Sequence, residues 1–193
     1  MEIKEMVERA RKAQVIYDER FDQERVDQVI KVAARTIFDH AEELARLTID
    51  ETQMGVYEDK VAKNRNKSKG VWYNLKGKKS MGILSIDERT NLIEIAKPFG
   101  VVAGITPMTN PVVTPMSKII FALKTKNAII IAPHPKAKQC SSAAVKLIIE
   151  AIAPFEVPEG LVQVIEEPTI EKTCELMEAC ANPLSVSVQV TYR

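Results

Sequence analysis

The sequence is short of the features that mark a disulfide-stapled, nucleic-acid-binding or membrane-spanning protein. Its 193 residues hold three cysteines, Cys140, Cys174 and Cys180. An odd number without C-x-x-C spacing excludes a disulfide framework and a zinc site, so no metal is expected and a cytoplasmic location is. Only 5% of residues are aromatic, and 27 Lys and Arg against 26 Asp and Glu leave a formal charge of +1. Neither base stacking nor attraction to a polyanion is favoured, and no nucleic-acid partner is expected. The densest cluster of one sign, Lys60, Lys63, Arg65, Lys67, Lys69, Lys76, Lys78 and Lys79, reads as a solvated helix face and loop. The longest apolar run, Ala128–Pro133, is far too short for a bilayer, and Met1-Glu2-Ile3-Lys4-Glu5-Met6 lacks the apolar core of a signal peptide, so no membrane is expected either. Among seven glycines there is no G-x-G-x-x-G, and Gly77-Lys78 lacks the rest of a phosphate loop.

What is present is periodicity. Between Asp22 and Asp50, Val26, Val29, Ile30, Ala33, Ala34, Ile37, Phe38, Ala41, Leu44 and Ala45 recur at three- and four-residue intervals. That predicts one buried helical stripe, capped by Asp22 and stopped near Gly55. A further helix is predicted from about Glu58 to Asn74. From Met81 to Ala96 two apolar runs flank Asp87-Glu88-Arg89-Thr90-Asn91, the pattern of an antiparallel hairpin. Beyond Gly100, strands over 100–105, 128–132 and 161–165 alternate with helices. The first helix starts at Thr114-Pro115 with Thr as cap, the second runs over 136–153 with Ala144, Leu147, Ile148 and Ala151 on one face, and the third over 171–181. Such alternation is the signature of right-handed crossovers in a parallel sheet.

The fold class is therefore α/β. N-terminal helices and a β-hairpin occupy 1–96, and a partial Rossmann-like parallel sheet follows over 97–182. The tail over 183–193 alternates apolar and polar residues and reads equally as an edge strand or as a segment foreign to the sheet.

Ligands of open α/β sheets bind beyond the carboxyl ends of the strands, which directs attention to two loops. The first, Thr106-Pro107-Met108-Thr109-Asn110-Pro111, sets an amide side chain between prolines. Asn110 reads either as a turn residue bonding its own backbone or as a rigid neutral donor to a developing oxyanion. The second, Pro133-His134-Pro135-Lys136-Ala137-Lys138, opens a helix whose N-terminus beside His134, Lys136 and Lys138 suits a phosphate or ribose, or is simply an exposed loop. The three cysteines read as buried small hydrophobes rather than nucleophiles, and His40 as structural or exposed.

These loops, in this order and spacing, carry a family resemblance. Lys97 to Pro111 resembles the first strand and Asn-containing loop of aldehyde dehydrogenases. Leu123 to Pro135 is similar to the next segment in the CoA-acylating acetaldehyde dehydrogenase branch, which includes the dehydrogenase half of bifunctional aldehyde/alcohol dehydrogenases. Val157 to Ile165 resembles the third strand, and Glu51-Thr52-Gln53-Met54-Gly55 the end of an early helix. Where hydrolytic members carry a Lys after the second strand, this chain has Ala132-Pro133, which favours the acylating branch.

The resemblance implies an aldehyde dehydrogenase-like fold and NAD- or NADP-dependent oxidation of an aldehyde to an acyl-CoA, with CoA as acyl acceptor. It makes Asn110 the oxyanion donor, places Thr106, Pro107, Met108 and Thr109 along the nicotinamide end of the cofactor, and His134, Pro135 and Lys136 near the adenosine ribose or its phosphate. It also implies that residues 81–96 are an oligomerisation hairpin, giving a homo-oligomer. The family's Gly-rich loop and catalytic cysteine have no counterpart among these residues. The chain therefore reads as a cofactor-binding part, with a non-catalytic assembly fragment and a piece of a hydrolytic aldehyde dehydrogenase as alternatives. Incubated alone with acetaldehyde, CoA and NAD, the purified chain is expected to form no NADH, as followed by absorbance.

Overall fold

A computed structural model describes residues 2–181. The 183–193 tail, read as an edge strand or as a segment foreign to the sheet, lies outside the described residues. The chain begins with helices α1 (Ile3–Arg20), α2 (Gln23–Asp39), α3 (Ala41–Thr52) and α4 (Tyr57–Leu75). Asp22 caps α2 as expected, its carboxylate accepting from the Arg25 amide at 2.9 Å. The single stripe expected from Asp22 to Asp50 is instead two helices that meet at His40, whose backbone lies outside the helical region at φ −91° and ψ 19°. The bend is held from outside by buried Asn64 of α4, which donates to the Ala41 carbonyl at 3.2 Å, and locally by His40 Nδ1, which pairs with Glu43 at 2.9 Å. Apolar spacing alone cannot show such a bend, because the stripe continues through it. α3 ends on Gln53 in a left-handed conformation, two residues before the expected stop at Gly55.

The hairpin consists of β1 (Gly82–Asp87) and β2 (Leu92–Ala96), paired antiparallel with a bulge between Ile83 and Ser85. The second half carries β3 (Val101–Ile105), α5 (Val113–Lys124), β4 (Ala128–Ala132), α6 (Lys138–Ile152), β5 (Val162–Val164) and α7 (Ile170–Cys180). The three strands form one parallel sheet in the order β3-β4-β5. α5 starts earlier than expected. Val112 is its N-cap, and the helical turn is already set by the Thr114 amide bonding the Asn110 carbonyl at 3.2 Å, which puts Pro115 at the third position. A short 3-10 turn, Pro135–Ala137, precedes α6, whose fully buried face includes Cys140, Ser141, Ala144, Val145 and Ile148, with Leu147 partly buried against the core at its margin.

β4 is buried along its whole length, so both of its faces need cover. α5 and α6 lie on one face of the sheet, α1 and α7 on the other, and α2 packs over α5 and α6. One continuous core joins α1 and α2 to the sheet. Polar anchors fix the joints. Gln163, buried in β5, donates to the carbonyls of Met6 and Gly160 at 2.8 and 2.9 Å and so moors α1. Buried Lys124 pairs with Asp27, and the Lys124 carbonyl accepts from Ser80 Oγ at 2.7 Å, which pins the entry to the hairpin against α2 and α5. No helix among the described residues is long and apolar enough to cross a membrane.

The approach to β3 depends on one side chain. Gly100 takes φ +116°, open to glycine without strain, and its amide and that of Phe99 both bond Asn127 Oδ1, at 2.9 and 2.6 Å. Asn127, itself buried, thereby joins the starts of β3 and β4. Asn127→Leu, which leaves both amides unpaired, is expected to lower the unfolding free energy by about 2 kcal/mol in urea melts, and Asn127→Asp, which keeps the acceptor, to lower it less.

Candidate functional site

Parallel pairing brings the two loops together. Ile105 lies opposite Ala132 in the β3–β4 register, and the Thr106 amide continues the ladder to the Ala132 carbonyl at 3.0 Å. Residues 106–112 and 133–137 therefore leave the sheet side by side at its carboxyl end. Thr106 is buried and its Oγ1 has no hydrogen-bond partner, an unmet polar group just beyond the carboxyl end of β3. Pro107 and Thr109 are exposed, Met108 and Asn110 half-buried.

Two neighbouring helices hold the first loop. From α4, Lys60 Nζ donates to the Thr109 carbonyl at 3.0 Å and Lys63 Nζ to Asn110 Oδ1 at 3.2 Å. From α6, Ser141 Oγ donates to the Pro111 carbonyl at 2.8 Å. The Asn110 Nδ2 has a long contact of 3.4 Å to Thr109 Oγ1. Burial and then the adjacent Lys63 ammonium hold Lys60 below the usual lysine range. The basic stretch is thus not merely a solvated face. Lys60 and Lys63 are spent on the loop, and Arg65 pairs with Glu42 of α3.

The second loop offers less than the sequence suggests. His134, Pro135 and Lys136 are exposed, and His134 Nδ1 accepts from the Lys136 amide at 3.1 Å. A phosphate would need the amides of the first turn of α6, but those of Gln139 and Cys140 already bond the Glu51 carboxylate at 2.8 and 2.7 Å. Glu51 comes from the end of α3, so the helix is capped by a distant residue, and Lys138 is paired with Glu167. These residues fit the hydroxyls of a ribose, through the outer His134 nitrogen and the Lys136 ammonium, better than a phosphate on the helix end. Glu51, Lys60, Lys63 and Ser141 had no readable role in the sequence. The i, i+3 spacing of Lys60 and Lys63 puts them on one helix face, but nothing local says what that face meets.

The expectation that all three cysteines are buried fails at Cys174, which is exposed because α7 turns Leu176 and Cys180 inward instead. Burial first, and then the Glu51 carboxylate, push the Cys140 thiol up to about 12. Burial raises Cys180 to about 11, partly offset by Arg11. Neither is poised as a thiolate nucleophile.

An open parallel sheet with paired loops beyond its strand ends defines the α/β class whose members bind ligands at the sheet's carboxyl edge. The particular kind follows from comparison with known proteins. Residues 1–182 match the model of the aldehyde dehydrogenase family, and the chain belongs to that family. It is 45% identical over 177 residues to the succinate-semialdehyde dehydrogenase (acetylating) of Clostridium kluyveri, a match covering 92% of this chain and 39% of that protein. An acetylating aldehyde dehydrogenase from Geobacillus thermoglucosidasius has a similar structure, with a TM-score of 0.86 and 37% identity over 91% of this chain and 38% of that one. The propionaldehyde dehydrogenase of Rhodopseudomonas palustris, solved with bound CoA and an acylated cysteine, gives a TM-score of 0.77 and 31% identity over 95% of this chain and 40% of that one. The chain thus spans about two-fifths of the length of these relatives.

In the native chain at neutral pH, Cys174 is expected to react with iodoacetamide well before Cys140 and Cys180, which should label only on unfolding, as peptide mass spectrometry would show. The raised Cys140 value also fixes a sign. Above the ordinary thiol value of 9.0 and up to about 12, an unfolded chain loses a proton that the folded one keeps. Stability is therefore expected to fall with rising pH in that window, and less steeply in Cys140→Ala.

Proposed function

We propose that this chain forms the oxyanion-donor and nicotinamide-side part of a CoA-acylating aldehyde dehydrogenase that uses NAD or NADP to convert an aldehyde and CoA into an acyl-CoA. The observation that carries this reading is the Asn110 amide, held by its oxygen on Lys63 at the carboxyl end of the first parallel strand. When a thiolate adds to an aldehyde, the carbonyl oxygen becomes an alkoxide. A fixed, neutral N–H donor stabilises that charge without exchanging a proton with it. The acylated cysteine in the Rhodopseudomonas palustris relative supports the same chemistry.

The remaining roles are binding and orientation. Thr106, with its unpartnered hydroxyl, and Pro107, Met108 and Thr109 would line the nicotinamide end of the cofactor. When bound, the nicotinamide supplies the hydride acceptor. His134, Pro135 and Lys136 would meet the adenosine ribose. The thiolate is not Cys140, whose thiol stays protonated at neutral pH.

The natural partner of the hairpin is a second copy of the chain. Ile83, Leu84, Ile86, Leu92, Ile93 and Ile95 are all exposed, on both faces of a two-stranded ribbon, which is costly for a lone subunit. Ile86 and Ile93 are cross-strand neighbours. Ile86→Lys with Ile93→Lys is expected to shift the chain to a smaller species in sedimentation velocity runs without loss of helical circular dichroism.

Titration with NAD and NADP, followed by amide NMR, is expected to move the signals of Thr106, Met108, Thr109, Asn110, His134 and Lys136, and Thr106→Val to weaken the binding. Shifts confined to other residues would refute the assignment of the pocket. Joined to the remainder of the Clostridium kluyveri relative, the chain is expected to oxidise aldehyde in the presence of CoA. There Asn110→Ala should lower kcat by roughly 10²–10³-fold, the usual loss for one oxyanion donor.

A further inference from the structure

We propose that Lys63 is a positioning residue that fixes which way the Asn110 amide faces and strengthens it as a donor. Its catalytic consequence rests on the reading of Asn110 as the oxyanion donor, whereas the placement itself does not.

The first argument is one of donors and acceptors. An ammonium has three N–H groups and no acceptor, so only the oxygen of the Asn110 amide can face it. Lys63 Nζ lies 3.2 Å from Asn110 Oδ1. Turned over, the amide would set its NH2 against a cation, two donors face to face. The other contact, from Nδ2 to Thr109 Oγ1 at 3.4 Å, cannot choose between the two orientations, because a hydroxyl both donates and accepts. The choice falls to Lys63, and it leaves the NH2 on the side away from α4.

The second argument is electronic. A cation on the oxygen of an amide draws electron density from nitrogen to oxygen, which raises the positive charge on the N–H hydrogens and strengthens the bonds they donate. Donor strength is what an oxyanion site requires, and Asn110 gains it while remaining neutral.

The third argument is the mounting. Among the described residues Lys63 forms no ion pair, so its ammonium goes to a neutral amide rather than to a carboxylate. Its helix is fixed to α3 immediately after it, by Asn64 on the Ala41 carbonyl and by Arg65 on Glu42. One turn earlier, Lys60 holds the loop backbone at the Thr109 carbonyl. The two lysines therefore divide the work, Lys60 holding the main chain and Lys63 the side chain.

The test is the side-chain NH2 signal of Asn110 in the full 193-residue chain, by two-dimensional NMR. In Lys63→Met the two Hδ2 signals are expected to shift upfield. Exchange between them should quicken as the amide loses double-bond character, and their order parameter should fall toward the flexible range below about 0.6. Lys63→Arg, also a donor only, is expected to restore the wild-type pattern. Lys63→Glu should invert the amide and bring its NH2 within nuclear Overhauser range of residue 63. Unchanged Asn110 side-chain signals in Lys63→Met would overturn the proposal. So would a failure of Lys63→Arg to restore them while the backbone amides of 106–111 move, which would mark Lys63 as mere loop packing. The exposed position of Lys63 makes folding of these variants straightforward to verify by circular dichroism. If the NMR result holds but Asn110→Ala keeps full activity in the joined enzyme, the oxyanion reading fails and the positioning stands.

Discussion

The constraint on which the rest depends is that β4 has no face it can show to water. Ile129, Ile130 and Ile131 point alternately to the two sides of the sheet, and each is fully buried. Burying such a side chain stabilises by about 1.5–3 kcal/mol, a gain realised only if helices cover both faces. That requirement places α5 and α6 on one side and α1 and α7 on the other. It also keeps β3 and β4 parallel and in register, because a one-residue slip would turn every side chain to the wrong face. With the register set, the two loops leave the sheet as neighbours. That adjacency follows from the packing of one apolar strand.

Much of this was legible in the sequence, and the reasons are local. The Ala128–Ala132 strand stood out because a continuous apolar run is bounded by Asn127 and Pro133, and the cap at Asp22 because its chemistry lies within three residues. The bend at His40, the Val112 start of α5 and the exposure of Cys174 were not legible. The bend is fixed by Asn64, which lies in another helix, and the start of α5 by an early backbone turn that Thr114-Pro115 disguises. The site shows the same division. Thr106, Asn110 and His134 sit at strand ends where a rule about sheets points, whereas Glu51, Lys60 and Lys63 act on residues far along the chain. Sequence spacing carries no mark of such pairings.

The electrostatic character of the candidate site is equally a product of tertiary structure. Glu51 neutralises the positive end of α6, so the dipole that would draw an anion toward the second loop is already answered within the protein. The uncompensated positive charge lies instead behind the first loop, on α4. A negative charge developing beside Asn110 would meet a neutral donor backed by a cation. Membership of the aldehyde dehydrogenase family gives this asymmetry a chemical context, since charge develops in such a reaction at the carbonyl oxygen.

The Glu51 cap has a mechanical meaning as well. α3 grips the start of α6 through Glu51, α4 grips the Asn110 loop through Lys60 and Lys63, and α3 and α4 are joined by Asn64 and Arg65. Both loops are therefore clamped to the same pair of helices by charged bonds, and not to the sheet alone. A small rocking of that pair would carry both loops together and leave the span between them unchanged. The two loops would move as a single jaw, braced by the sheet register at their roots and by two helices that lie outside the sheet.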